Sequence, residues 1–274
     1  MDGSTSRLTA ELRDLGVGPG TGVLLVHGAL RSLAGWAGDS AAVLAGLRAA
    51  LGPDGTLVAY TATPENSLTS RLHTEATAGL GPAELASYLA RMPAFDPAAT
   101  PCSPTVGRLS EELRRTPGAV RSTHPQTSFA ALGPRAPELT AGHALDCHLG
   151  ERSPVGALYR AGAQVLMLGA PLTSCTVLHL AEYRLPDPPR KRYTARTADR
   201  GWVHFDGVDV DDRHFGPMLR AVLPQGFART GTAGGAPAVL LPVRAAVDAA
   251  TAWLGEARVA GAAGGAEGRM RANS

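Results

Sequence analysis

The chain has 274 residues, of which 44% are hydrophobic and 18% are charged. This length and composition predict one large folded domain or two small ones, with enough apolar residues for a substantial core. The formal net charge of +2 is too small to favour binding to nucleic acid or to a membrane surface, and no basic run is interleaved with aromatic residues.

Three widely spaced cysteines, Cys102, Cys147 and Cys175, form no CxxC pair. This spacing argues against a disulfide framework and against a zinc ribbon. The first residues, MDGSTSRLTAELRDLG, lack the basic and apolar regions of a signal peptide, and no apolar run reaches the roughly 18 residues of a membrane span. We therefore expect a reduced, cytoplasmic, soluble protein with no membrane partner.

The first third of the chain alternates between helical and strand patterns. The spacing predicts a helix at 6–15, a strand at 23–27, a helix at 39–51 that Asp39 caps, and a strand at 56–61. The glycine-rich run at 16–22 precedes its strand, so we interpret it as a turn and not as a phosphate loop. Two strands separated by a helix indicate a βαβ unit with parallel strands.

The remaining elements are less regular. A long loop is predicted at 62–81. After it we predict helices at 82–91, at 111–115 with Ser110 as cap, at 134–143, at 154–162 with Ser153 as cap, at 214–223 and at 242–257. The predicted strands are 128–132, 227–230 and 238–241, and 190–197 forms a hairpin with 202–205. Residues 259–274 have the composition of a disordered tail. The pattern predicts an α/β fold: three layers, a mixed sheet with a largely parallel core, helices on both faces and an antiparallel hairpin extension. Residues 1–258 would form a single domain, with 185–235 as a smaller subdomain.

The most informative stretch is 164–184, QVLMLGAPLTSCTVLHLAEYR. A buried strand is followed by a turn and by a helix that Thr173 or Ser174 would cap. His179 and Glu182 lie three residues apart, so they share one face of that helix. A base and a carboxylate just beyond a buried strand occupy the place where α/β sheets hold ligands. From the spacing alone, a core histidine beside a surface acid remains the more common arrangement.

Other polar groups follow the strands. Arg31 and Ser32 lie in the loop after the first strand, and Arg121 and Ser122 lie in a second loop, where each pair resembles an anion site. The cluster His143, Asp146, Cys147 and His148 lacks a matching second pair of ligands, so we expect no metal site. Four aspartates form an acidic patch: Asp206, Asp209, Asp211 and Asp212.

Three classes of function fit these residues. A hydrolase would need a nucleophile, but no G-x-S-x-G elbow exists, and Cys175 is four residues from His179 on one predicted helix. A binding module without catalysis would use the polar loops alone. A group transferase with a phosphate-bearing donor would use the arginines for the phosphates and His179 as general base.

Three blocks of the sequence are distinctive: LLVHGALRSLAGW at 24–36, RTPGAVRSTHPQTSFAALG at 115–133 and TVLHLAE at 176–182. In sequence and in order they resemble the aminoglycoside 3-N-acetyltransferases. The resemblance covers about residues 6–255. It implies acetyl transfer from acetyl-CoA to the 3-amino group of a 2-deoxystreptamine aminoglycoside, by direct attack in a ternary complex, and a role in antibiotic resistance. An acyltransferase acting on another amine in a biosynthetic pathway, or a non-catalytic protein that binds CoA or aminoglycoside, stays open.

The resemblance also implies roles for residues. His179 would be the general base, with either Glu182 or Asp209 orienting its ring. CoA would contact Gly28, Ala29, Leu30, Arg31, Ser32, Leu33, Arg121, Ser122 and Thr176. The polycationic substrate would contact Glu65, Glu182, Asp206 and Asp209. No metal and no nucleic acid is implied, and the protein would be either a monomer or a homodimer.

The chain departs from the family pattern at two places. The family usually has His-Ser-Ser-Leu where this chain has His27, Gly28, Ala29 and Leu30, so two hydroxyls are missing beside the expected CoA site. An Asn often precedes the T-x-x-H block, where Ser174 and Cys175 stand here.

Overall fold

The computed structural model describes residues 3–33 and 39–272, with side chains through Arg258. In these ranges the strands are β1 Val23–Gly28, β2 Thr56–Tyr60, β3 Val120–Arg121, β4 Phe129–Leu132, β5 Gln164–Leu168, β6 Arg190–Thr197, β7 Gly201–Val208, β8 Arg229–Ala233 and β9 Ala236–Pro242. The helices are α1 Gly3–Leu15, α2 Ser40–Leu51, α3 Arg71–Thr77, α4 Pro82–Arg91, α5 Arg108–Arg115, α6 Ala136–Thr140, α7 Pro154–Arg160, α8 His179–Tyr183, α9 Phe215–Val222 and α10 Val243–Ala272.

Seven strands form one sheet in the order β3-β4-β2-β1-β5-β9-β8. The central strands β2, β1 and β5 are mutually parallel, and the outer pairings are antiparallel. The central strands are continuous apolar runs because a parallel sheet is covered on both faces. The predicted mixed sheet with a parallel core is therefore confirmed.

Helices cover both faces of the sheet. Alternate side chains of a strand point to opposite faces. Val23 and Leu25 of β1 pack into a core shared with α6, α7, α9 and α10, whereas Leu24 and Val26 pack against α1, α2 and α5. The three layers predicted from the sequence are thus confirmed.

The hairpin of β6 and β7 forms a separate two-stranded antiparallel sheet, as predicted. Isolated bridges join it to the main body, Ser67 to Ala195 and Phe95 to Thr197. The hairpin and α9 lie within 185–235, but β8, which begins at Arg229, belongs to the main sheet.

Two local predictions are wrong. The predicted loop at 62–81 contains α3, which Ser70 caps by accepting a hydrogen bond from the His73 N–H. Ser110 does not cap a helix, because α5 already begins at Arg108 and the Ser110 hydroxyl donates to the Val106 carbonyl one turn back.

The stretch after β5 also differs from the prediction. Neither Thr173 nor Ser174 caps a helix; both lie in a 3-10 turn, Leu172–Ser174, and the Ser174 hydroxyl donates to the Pro171 carbonyl. A second 3-10 turn leads directly into α8 without a side-chain cap.

The last helix, α10, runs past residue 257, where the sequence placed its end, to Ala272. The predicted disordered tail falls on residues 259–274. The side chains of 259–272, and the whole of residues 273–274, lie outside the described part of the chain. No helix in the described ranges combines the length and the hydropathy needed to cross a bilayer.

Three buried imidazoles connect the sheet to the hairpin. The ring of His124 lies 4.7 Å from that of His143 and 4.5 Å from that of His148, and the His148 ring lies 4.1 Å from that of Tyr193. Burial lowers the pKa of His143 to about 4 and of His148 to about 3, and it holds the pKa of His124 well below its usual value. All three rings are therefore neutral in the folded protein near neutral pH.

Acidification is expected to destabilise the fold through these three histidines. Their folded-state pKa values lie below the unfolded value of about 6.5, so the unfolded chain binds the protons first. Their contribution to the free energy of unfolding is complete above about pH 6.5. It is lost as the pH falls, by up to about 1.4 kcal/mol per pH unit for each histidine. Urea unfolding at a series of pH values measures this slope.

The His148→Phe variant should show a shallower slope, because it removes one of the three groups. His204→Gln is the matched control, since His204 lies exposed on the hairpin. A free energy of unfolding that stays constant down to about pH 5 would contradict the neutral cluster.

Candidate active site

The carboxyl ends of the three central parallel strands open onto one cavity of about 640 Å³. This is the edge where open α/β sheets bind ligands, and the volume suits a small molecule. The lining residues are His27, Gly28, Ala29, Leu30, Arg31, Tyr60, Pro104, Thr105, Val106, Gly107, Arg108, Ala170, Pro171, Thr173, Ser174, Thr176, His179, Asp212 and Phe215.

His179 and Glu182 form a hydrogen-bonded pair in this cavity wall. The distance from His179 Nδ1 to Glu182 Oε2 is 2.6 Å, and the two side chains are 14% and 7% exposed. An ionised carboxylate only accepts hydrogen bonds, so we assign the proton of the neutral ring to Nδ1. The other nitrogen, Nε2, has no hydrogen-bond partner among the described residues and keeps a free lone pair at the cavity.

Glu182 is also held from the opposite side. Its Oε1 accepts a hydrogen bond of 2.8 Å from the backbone N–H of Asp211, and His214 Nε2 lies 3.3 Å from the same oxygen. The ring of Phe215 packs against that of His179 at a centroid distance of 4.7 Å. The orientation of the His179 ring is therefore fixed by a carboxylate that is itself fixed.

The acids of the hairpin region lie elsewhere. Asp209 pairs with Lys191 at 2.6 Å, and Asp206 lies 3.9 Å from Arg192 on the exposed side of the hairpin. The structure thus places Glu182, and not Asp209, beside His179. Glu65 is half-buried in a 3-10 turn outside the cavity lining.

Most residues of the expected CoA loop line the cavity, as does Thr176. Ser32 and Leu33 do not; Leu33 is buried in the core on the opposite face of the sheet. A Cβ atom at Gly28 would come within 2.7 Å of Leu109 Cδ2. Leu109 therefore occupies the space into which the family serine would project.

Arg121 and Ser122 lie away from the cavity. The Arg121 guanidinium donates to the Thr61 carbonyl at 2.7 Å, to the Thr100 carbonyl at 2.5 Å and to Ser128 Oγ at 3.0 Å. The Ser122 hydroxyl is 3.0 Å from His143 Nδ1 and accepts from the Phe129 N–H. These contacts tie the sheet edge to neighbouring loops and leave neither side chain free for a ligand.

Sequence reasoning missed three groups at the cavity, His27, Tyr60 and Arg108, and it included Asp212 only as a member of the acidic patch. His27 and Tyr60 could have been found, since each lies at the carboxyl end of a predicted central strand. Asp212 was one of four similar aspartates, and Arg108 preceded a helix whose start was misplaced. Across the described ranges no group of three or more His, Cys, Asp or Glu side chains could hold a metal ion.

Comparison with known proteins matches residues 25–255 to a family model described as aminoglycoside 3-N-acetyltransferase. Aminoglycoside N(3)-acetyltransferase VIII of Streptomyces fradiae is 36% identical over 95% of this chain and 94% of that protein. The structure of AAC-IIIb in a binary complex with CoASH superimposes with a TM-score of 0.78 at 33% identity, covering 92% and 96% of the two chains. AAC-VIa bound to sisomicin gives a TM-score of 0.75 at 29% identity, covering 94% and 99%.

Replacement of Arg121 is expected to destabilise the protein without weakening CoA binding. Arg121→Met removes the three hydrogen bonds described above, each from a charged donor, and should lower the free energy of unfolding by about 3–5 kcal/mol. Urea unfolding and calorimetric titration with CoA measure the two effects. Arg31→Met is the control that should show the opposite pattern, and a loss of CoA affinity in Arg121→Met at full stability would contradict the structural role.

Proposed function

Because the chain belongs to the aminoglycoside 3-N-acetyltransferase family, we propose that it transfers the acetyl group of acetyl-CoA to the 3-amino group of a 2-deoxystreptamine aminoglycoside. The reaction is a direct attack in a ternary complex and gives resistance to the antibiotic. The observation that carries the proposal is the His179–Glu182 pair, whose free Nε2 faces the cavity at the ends of the central strands.

His179 acts as the general base. The substrate nitrogen attacks the thioester carbon, a C–N bond forms, and the C–S bond breaks with its electron pair on sulfur. Nε2 takes the proton of the amine and passes it to the thiolate, while the Glu182 carboxylate stabilises the charged ring. Such a base contributes about 10²–10⁴-fold, and holding both reactants in one complex contributes up to about 7–11 kcal/mol.

The donor is expected at the arginine side of the cavity. Arg31 and Arg108 are exposed and line it, and neither forms an ion pair with a described residue. Guanidinium groups of this kind bind phosphates through two parallel hydrogen bonds. The relative AAC-IIIb was solved with CoASH, which supports CoA as the donor here.

The acceptor is expected beside Asp212. Among the described lining residues this is the one acidic side chain, and it lies in the same turn region that places Phe215 against His179. A carboxylate there would pair with one of the ammonium groups of an aminoglycoside. The relative AAC-VIa was solved with sisomicin, which supports this class of substrate.

A covalent mechanism through Cys175 is disfavoured. The residue is fully buried and does not line the cavity. Burial raises the pKa of its thiol to about 12, so the reactive thiolate is scarce at neutral pH.

The His179→Gln variant tests the general base. It should lose about 10²–10⁴-fold in kcat while binding CoA as the wild type does. Thiol release from acetyl-CoA, measured over a panel of aminoglycosides with product NMR, gives both turnover and the position of acetylation. The matched control is His204→Gln on the exposed hairpin, which should keep full activity.

Thiol release at full rate without any amine, or an acetyl group retained on Cys175, would disprove the ternary-complex mechanism. Binding of both ligands without product would leave only a binding protein, and acetylation of a different amine would point to a biosynthetic acyltransferase.

Asp212→Asn is expected to raise the KM for the aminoglycoside about tenfold, equivalent to about 1.4 kcal/mol, because one charge-paired contact is lost. The KM for acetyl-CoA should not change. Asp206→Asn is the control, since Asp206 lies on the hairpin outside the cavity. If Asp206→Asn and not Asp212→Asn raises the KM, the substrate lies over the hairpin instead.

A further inference from the structure

A second imidazole, that of His27, lies in the same cavity as His179. His27 follows the buried residues of β1, the central parallel strand. By the alternation of the strand it shares a face with Val23 and Leu25, and this is the face that carries α8 and Phe215. The two imidazoles therefore approach the cavity from the sheet and from the helix layer.

His27 has no partner in the described part of the chain. Neither ring nitrogen forms a hydrogen bond there, and Nε2 is enclosed by protein atoms. Buried polar groups are almost always paired, so the unpaired ring in the cavity wall is available to a group that enters the cavity. Burial lowers the pKa of His27 to about 4, which leaves the ring uncharged near neutral pH.

The surroundings of the two rings differ in one decisive respect. His179 donates to the Glu182 carboxylate, which stabilises the charged ring. His27 has no carboxylate beside it, so it is a poor proton acceptor, but an N–H at Nδ1, the ring nitrogen that protein atoms do not enclose, can be donated to a ligand. A neutral hydrogen-bond donor in a partly buried cavity wall is suited to stabilise an oxyanion that develops during acyl transfer.

We propose that His27 is a second catalytic residue, which donates a hydrogen bond to the thioester carbonyl oxygen of acetyl-CoA. This inference rests on the proposed acetyl transfer. As the amine attacks, the carbonyl electrons move to oxygen, and the His27 N–H stabilises that charge without transferring its proton. His179 alone takes the proton of the amine, and the C–S bond then breaks as described above.

Tyr60 is the rival donor. It lies at the end of β2 beside β1, lines the same cavity and packs against Phe129 at 5.0 Å. Burial raises the pKa of its hydroxyl, so it too stays neutral. A test of His27 therefore has to include Tyr60→Phe.

The kinetic test compares His27→Leu, His27→Asn, His27→Gln and Tyr60→Phe. His27→Leu should lower kcat by about 10²–10³-fold and change each KM by less than about threefold, because the contact strengthens only in the transition state. Asn presents an N–H near the position of Nδ1, so it should recover at least about tenfold of the loss, whereas Gln, whose N–H lies near the position of the enclosed Nε2, should not. Tyr60→Phe should lower kcat by less than His27→Leu does.

The spectroscopic test needs no turnover. Isotope-edited infrared spectra of carbonyl-labelled acetyl-CoA, bound without amine, report the hydrogen bond as a lower carbonyl frequency. The shift should be present in the wild type and in His179→Gln, and it should disappear in His27→Leu. Urea unfolding of each variant shows that it is folded.

Wild-type kcat in His27→Leu, or an unchanged carbonyl frequency, would overturn the proposal. It would also fall if Tyr60→Phe removes the shift while His27→Leu retains it. These results are distinct from failure of the proposed function, in which the wild type itself would acetylate no aminoglycoside although the bound carbonyl still shifts.

Discussion

A buried carboxylate has to be hydrogen-bonded, and Glu182 meets this requirement by joining separate parts of the chain. One oxygen accepts from His179 on α8, and the other accepts from the backbone N–H of Asp211, 29 residues further along. This second contact holds the segment after the hairpin over α8. As a consequence, Asp212 and Phe215 reach the cavity, so one ionised side chain organises the base, its packing partner and the nearest acid.

The sheet supplies the other half of the site. Its three parallel strands end together, which brings His27, Tyr60 and the loop after β5 to one edge. The family serine after His27 is a glycine here, and Leu109 of α5 fills the space. The first turn of α5 therefore places Leu109 against Gly28 and Arg108 at the cavity edge.

The parts of the fold that depend on local patterns were predictable. The apolar runs gave β1, β2 and β5, and Asp39 does cap α2 by accepting from the Ala42 N–H. The start of α8 was not predictable from its hydroxyls, because Ser174 bonds within its own turn and 3-10 geometry carries the chain into the helix without a cap.

Long-range pairing explains the remaining differences at the site. The spacing of His179 and Glu182 gave their shared face, but nothing local showed that Asp211 would complete the pair. The sequence placed Arg121 and Arg31 in similar loops, each before a serine. In the structure Arg121 ends β3 and donates to two backbone carbonyls from distant loops, whereas Arg31 has no hydrogen-bond or ion-pair partner among the described residues. The charge pattern of a sequence does not show which arginine will be paired within the protein, because its partners are determined by the tertiary fold.

The two imidazoles of the cavity show the same principle at the level of chemistry. His179 and His27 are the same residue type, and both line the same cavity. The Glu182 carboxylate, held in place by its own partners, stabilises a positive charge on the His179 ring. His27 lies at the end of an apolar strand, where burial disfavours a charged ring. Acyl transfer needs a group that accepts a proton and a second group that donates a hydrogen bond without giving up its own proton. The distribution of charge around the cavity, and not the identity of the side chains, therefore divides these roles.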